Sequence, residues 1–147
     1  SYLQNEGHTV NGIDFSDSLL DICKEKSLNV KNSDIRNLPF QDETYDYVIS
    51  IAVIHHLSSY CEQDKAIREL LRVTRKGGKV LFTVWAVEQD EHSRRCLESG
   101  SNLIPFEDTV RYYYVFNKKT FQELISRYTV DKFFLEKSNW NAILIKT

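Results

Sequence analysis

The chain has 147 residues, 41% of them apolar and 27% charged, with a formal net charge of −2. That is enough for one packed domain and too little for two. No apolar run approaches the ~18 residues that a membrane-crossing helix needs, and the slight acidity offers nucleic acid no general attraction, so such a partner would have to be met by a local basic patch or another subunit. The first eight residues lack a basic segment followed by an apolar stretch, which argues against a secretory signal. The cysteines Cys23, Cys61 and Cys96 are odd in number, far apart and in no Cys-x-x-Cys pair. They read as free thiols in a reducing compartment, hence a cytoplasmic protein with no metal site.

In chain order, residues 9–13 read as a short strand ending at Asp14. Ser16 is an N-cap for a helix to about Lys26, with Leu19, Leu20 and Cys23 on one face. Residues 28–31 form a short strand, and Asp34 to Asp42 a loop punctuated by Pro39. Tyr45–Ile51 is an apolar, β-branched run expected of a strand buried on both faces. Residues 62–74 predict a helix with Ile67, Leu70, Leu71 and Thr74 inward. Arg75 and Lys76 read as its cationic last turn, and Gly77-Gly78 as its stop. Residues 79–85 are the next buried strand, and 87–116 carry no readable period. A helix over 118–128 follows, with Phe121, Leu124 and Ile125 on one side. Strands at 130–135 and 142–145 close the chain as an antiparallel hairpin.

Alternating strands and helices imply an α/β fold with a mostly parallel sheet covered on both faces and the antiparallel hairpin at its end. Ligands of such sheets bind beyond the carboxyl ends of the strands. After the first strand stands Asp14, suited to accept from ribose hydroxyls or, equally, to start a turn. After the second come Asp34 and Ile35, whose carboxylate and N–H could meet an adenine, or merely an acidic surface loop. The third strand runs into His55-His56, able to orient a substrate or take a proton; neighbours in extended chain point opposite ways, so joint metal ligation is disfavoured. The fourth ends at Trp85, which can stack on a base or fill the core. Arg94 and Arg95 can clamp a phosphate or carboxylate, or serve solubility alone. Arg111 with Tyr112-Tyr113-Tyr114 can wall a pocket, or the rings can alternate on the core.

Taken as an ordered set, Gly12-Ile13-Asp14-Phe15-Ser16, Leu38-Pro39-Phe40 before Tyr45-Asp46-Tyr47-Val48, and Arg75-Lys76-Gly77-Gly78-Lys79 resemble the later motifs of class I S-adenosylmethionine (SAM)-dependent methyltransferases. The run Ile49 to His56 is more specific. Together with Trp85 to Gln89, Ser93-Arg94-Arg95, Arg111 to Phe116 and Asn139-Trp140, it is similar to eukaryotic tRNA methyltransferases that esterify 5-carboxymethyluridine at the wobble position, including those fused to AlkB-type oxygenases. The resemblance implies a Rossmann-like sheet and SAM as cofactor. Asp14 and Phe15 would lie at its ribose, Asp34 and Ile35 at its adenine, and Ile51 at its methionine end. It implies His55, His56, Arg94 and Arg95 at the reaction centre, and Trp85, Arg111 and Tyr113 toward tRNA. It further implies a small zinc-binding activator subunit, paired along the strand near 28–31, whose open edge is a template for such addition. The glycine loop of a dinucleotide-type fold precedes the ribose acid by about 20 residues. Only 13 residues precede Asp14, so the expectation is one methyltransferase domain over 1–147 whose first strand and glycine loop lie upstream. A small-molecule methyltransferase and a non-catalytic methyltransferase-like subunit are the competing readings.

Overall fold

The computed structural model describes residues 2–89 and 97–147, and the chain divides into two units, residues 1–39 and 40–147. The first unit runs α1 (Tyr2–Asn5), β1 (Gly12–Asp14), α2 (Asp17–Glu25) and β2 (Val30–Asn32). The β1 and β2 strands are parallel, with Gly12 opposite Val30 and Asp14 opposite Asn32, so their carboxyl ends lie side by side. The strand expected from residue 9 is shorter because only three residues find ladder partners. Ser16 sits at the N-cap of α2 without a side-chain capping bond; the Asp14 carboxylate accepts the Ser16 N–H instead, at 2.8 Å. Of the expected apolar face only Leu20 is fully buried; Cys23 is partly buried and Leu19 stands about half exposed. The helix ends where Ser27 turns into the left-handed region (φ 55°) and Leu28 N–H reaches back to the Cys23 carbonyl.

The second unit continues with β3 (Tyr45–Ile51), a 3₁₀ turn (Ile54–His56), α3 (Tyr60–Val73) and β4 (Thr74–Trp85). It then runs β5 (Gly100–Phe106), β6 (Thr109–Val115), α4 (Lys118–Ile125), β7 (Val130–Glu136) and β8 (Asn139–Ile145). Its four-stranded sheet has the order β3-β4-β8-β7, with β3 and β4 parallel and the other pairs antiparallel. One face carries Val80, Phe82 and Val84 of β4 and Ala142 and Leu144 of β8, all buried. Phe121 of α4 stands 5.8 Å from Phe82 and 5.9 Å from Trp140 between ring centroids. Burying Phe121, Leu124 and Ile125 contributes about 1.5–3 kcal/mol each, and Asn117 with Thr120 forms a reciprocal capping box that starts α4 there.

Several local expectations change. Strand β3 is not buried on both faces: Tyr47, Ile49 and Ile51 alternate on an exposed side while Ser50 points into the core. Helix α3 ends at Val73, and Arg75 to Gly78 belong to an excursion at the start of β4. The ladder there jumps from Tyr45–Thr74 to Tyr47–Lys79. Gly78 is needed not to stop a helix but for close approach, since a Cβ on it would lie 2.5 Å from the Asp46 carbonyl oxygen. Residues 100–115, without a period in the sequence, form the antiparallel hairpin β5–β6 with Phe106 opposite Thr109. The closing hairpin is tighter than expected: Glu136 pairs with Asn139, leaving Lys137 and Ser138 as a two-residue turn with both φ positive.

Candidate active site

In the first unit the two strand-end carboxylates lie past adjacent strands, as ligand binding at the tips of a parallel sheet requires. Ser33, which follows β2, donates its N–H to the Asp14 carbonyl at 3.1 Å. Asp14 uses Oδ1 on the Ser16 N–H. Asp34 takes the Arg36 backbone N–H at 2.8 Å and is held by the Arg36 guanidinium as well. Its carboxylate is therefore oriented, and it would have to share its oxygens with any nucleobase amine. Phe15 is 80% exposed, a large ring beside these carboxylates, whereas Ile35 and Leu38 are buried and support the loop from beneath. This donor set of two oriented carboxylates and an open aromatic face fits a nucleoside.

In the second unit, β3 leads through Ile51 into Ala52, a non-glycine residue at φ 58° whose N–H donates to Thr83 Oγ1 at 3.1 Å. Such backbone strain costs of order 1 kcal/mol and is kept where the chain must turn sharply at a site. The turn delivers both histidines to one place. They lie on a 3₁₀ turn rather than in extended chain, and their rings meet edge to face with centroids 4.5 Å apart. His55 is 1% exposed and accepts the Trp85 N–H on Nδ1 at 3.1 Å. Burial, with His56 adding to it, lowers its pKa to about 3. The ring is thus neutral, with its proton on Nε2. His56 is exposed, and its Nδ1 lies 3.0 Å from the Tyr112 carbonyl oxygen.

Tyr113 is buried and stacks on Trp85 with centroids 4.4 Å apart and planes 13° apart. It also contacts both histidines. So His55, His56, Trp85 and Tyr113 form one aromatic group, while Arg111 sits farther along the hairpin with its guanidinium carbon 3.4 Å above the Phe106 ring. Arg94 and Arg95 lie outside the described residues. The segment after β4 is pinned by Ala86 N–H on the Ser138 carbonyl, Val87 N–H on the Phe116 carbonyl, and Trp140 Nε1–H on Glu88. In the sequence Tyr112 is one of three rings that can wall a pocket and Glu88 only part of the Trp85 to Gln89 run; their individual hydrogen bonds come from tertiary contacts. Among the described residues no group of three or more His, Cys, Asp or Glu could hold a metal, and no helix is long and apolar enough to cross a membrane.

A sequence family described as "Methyltransferase domain" matches residues 1–82. A tRNA (carboxymethyluridine(34)-5-O)-methyltransferase of Arabidopsis thaliana is 50% identical over 82 residues, covering 56% of this chain and 20% of that protein. A probable tRNA methyltransferase 9B of Homo sapiens is 38% identical over 104 residues, covering 71% and 22%. The chain thus spans about a fifth of the length of these relatives. Among solved structures, a SAM-dependent methyltransferase of Methanosarcina mazei superposes with a TM-score of 0.80 at 18% identity, over 99% of this chain and 85% of that one. A Burkholderia thailandensis N1-methyltransferase with bound S-adenosylhomocysteine gives 0.70 at 13%, over 99% and 64%. At such identities these structures speak to the fold alone, and the fold they share with this chain is that of the class I SAM-dependent methyltransferases.

Proposed function

The chain belongs to the methyltransferase-domain family, and from that premise we propose that it serves SAM-dependent methyl transfer to tRNA, esterifying the carboxylate of 5-carboxymethyluridine at the wobble position. The similarity to the Arabidopsis enzyme carries this reading, and it is supported by the exposed His56 and half-buried Trp85 at the ends of β3 and β4, rings that an unstacked base can meet.

Asp14, with an oxygen beyond the one held by Ser16, accepts from ribose hydroxyls. Asp34 and the Ile35 N–H face the adenine edge, and Phe15 covers its plane. Bound SAM supplies a methyl group on a sulfonium. The acceptor carboxylate is already ionised at neutral pH, so the protein's work is alignment and exclusion of water, and alignment alone is worth about 7–11 kcal/mol of barrier. His55, locked neutral in the core, does not exchange protons at working pH; it braces Trp85 and His56. Trp85 and Arg111 face the RNA, while Tyr113, expected there too, is buried and backs Trp85 instead. Arg94 and Arg95 hold a phosphate, because an arginine bound tightly to the acceptor carboxylate would quench its nucleophilicity. A small zinc-binding activator pairs along β2, which has β1 as its neighbour in a two-stranded sheet.

Methyl transfer from labelled SAM to bulk tRNA, compared with small metabolites, tests the reading: label is expected in carboxymethyluridine-bearing tRNA, and label in metabolites alone sinks it. Arg95→Ala should lower turnover on that tRNA without changing SAM affinity; loss of SAM binding instead removes the role given to Arg95. Calorimetric titration of SAM with and without the activator should show tighter binding in its presence.

A further inference from the structure

We propose that Tyr112 is a positioning residue that fixes the tautomer of His56, so that His56 Nε2 accepts a hydrogen bond from the imide N3–H of the substrate uridine; the inference rests on the uridine substrate proposed above. His56 Nδ1 lies 3.0 Å from the Tyr112 carbonyl. A carbonyl only accepts, so Nδ1 carries the hydrogen and the neutral ring's lone pair sits on Nε2. Among the described residues Nε2 has no partner. Its neighbour has the opposite arrangement: His55 Nδ1 accepts the Trp85 N–H, which puts the His55 hydrogen on Nε2. Two adjacent histidines are thus held in opposite tautomers, and the exposed one presents an acceptor.

Tyr112 is built to hold that carbonyl in place. Its hydroxyl donates to the Ser58 carbonyl at 3.1 Å and meets Ser101 Oγ at 3.0 Å. Since the Tyr112 hydrogen is spent on Ser58, Ser101 is the donor in the second bond. Ser58 is itself anchored, its N–H and hydroxyl both on the Glu62 carboxylate in the first turn of α3. One residue of the hairpin is therefore tied at both ends, side chain and backbone, to the segment 56–58. The His56 ring is then confined between His55 and Tyr113, with centroids at 4.5 and 4.4 Å.

A uracil ring carries a single N–H donor, at N3, and its two carbonyls only accept. A ring nitrogen with a lone pair therefore favours uracil at this place, and it disfavours cytosine, whose N3 has a lone pair of its own and would leave both groups unpaired.

The experiment uses the full-length protein, with tRNA carrying 5-carboxymethyluridine or its N3-methyl form. N3-methylation should lower kcat/KM about tenfold for the wild type, the value of one good hydrogen bond, and less than about twofold for His56→Leu by the logic of a double-mutant cycle. Tyr112→Phe should raise KM for tRNA while leaving KM for SAM unchanged, and His56→Gln, which keeps an acceptor, should recover part of the loss of His56→Leu. Nitrogen-15 NMR of labelled histidine reads the positioning without any turnover: the Nδ1–H form in the wild type, and a growing share of Nε2–H in Tyr112→Phe. Equal sensitivity to N3-methylation in wild type and His56→Leu, or an unchanged tautomer ratio in Tyr112→Phe, overturns the proposal. A wild type that methylates no tRNA refutes the substrate reading instead, and the tautomer measurement then decides the role of Tyr112 alone.

Discussion

The two ends of the β3–β4 pair are built from opposite materials. At the amino end, charge lies on the surface: Arg75 meets Asp46 at 2.6 Å and Lys79 meets Asp131 at 2.8 Å. Asp46, Arg75 and Lys79 line a shallow depression of about 220 Å³ together with Lys76, Gly77 and Gly78. At the carboxyl end the groups are neutral and ordered, with a buried histidine, a stacked Trp85–Tyr113 pair and a strained Ala52. Concavity alone points to the first place. Preorganised hydrogen-bonding groups point to the second, and at the first Arg75 and Lys79 are already paired with carboxylates.

That contrast can be broken at either end. The largest effect belongs to His55. Its pKa is lowered from 6.5 to about 3 in the fold, so below pH 6.5 the unfolded chain binds a proton that the folded one refuses. Its stabilising contribution is therefore present above pH 6.5 and is lost as the pH falls from there toward 3. The slope approaches about 1.4 kcal/mol per pH unit. Denaturant melts from pH 7 to pH 4 should show this loss, and His55→Gln should show a flatter dependence; an equally steep one would deny His55 its buried, neutral state. Next comes Gly78→Ala, where the added Cβ meets backbone at 2.5 Å and should cost about 1–3 kcal/mol in the same melts. Ser50 follows: its hydroxyl is buried with no hydrogen-bond partner among the described residues, so Ser50→Ala should stabilise by about 1 kcal/mol, and a destabilisation of that size would mean that the hydroxyl has a partner. The smallest change is expected for Arg75→Ala. Its ion pair is half exposed on both sides and should move stability by less than about 0.5 kcal/mol.

Much of the architecture could be read from the chain because its signals are local. Tyr45–Ile51 has the boundaries that its β-branched run announces, and α4 begins where Asn117 and Thr120 cap it. Turns were harder, for a chemical reason. Ser27, Glu43, Ala52, Glu107, Lys137 and Ser138 all take positive φ without being glycine. Glycine, the residue that supplies positive φ without strain, is therefore missing at the β5–β6 and β7–β8 hairpins. Conversely, Gly77-Gly78 resembles a helix stop, although Gly78 is required by the nearby Asp46 carbonyl, 32 residues away in the chain.

What the sequence by itself determined was the succession of elements outside residues 87–116 and the residue types placed after each strand, since apolar period and strand-end chemistry are written in neighbouring positions. It named both histidines, Trp85 and Tyr113 but not the state of any of them. Only the tertiary structure decided that His55 is a buried neutral acceptor and His56 a donor through Nδ1. The physical reason is that a tautomer is set by the partner of one ring nitrogen, and those partners, Trp85 and Tyr112, lie 30 and 56 residues along the chain.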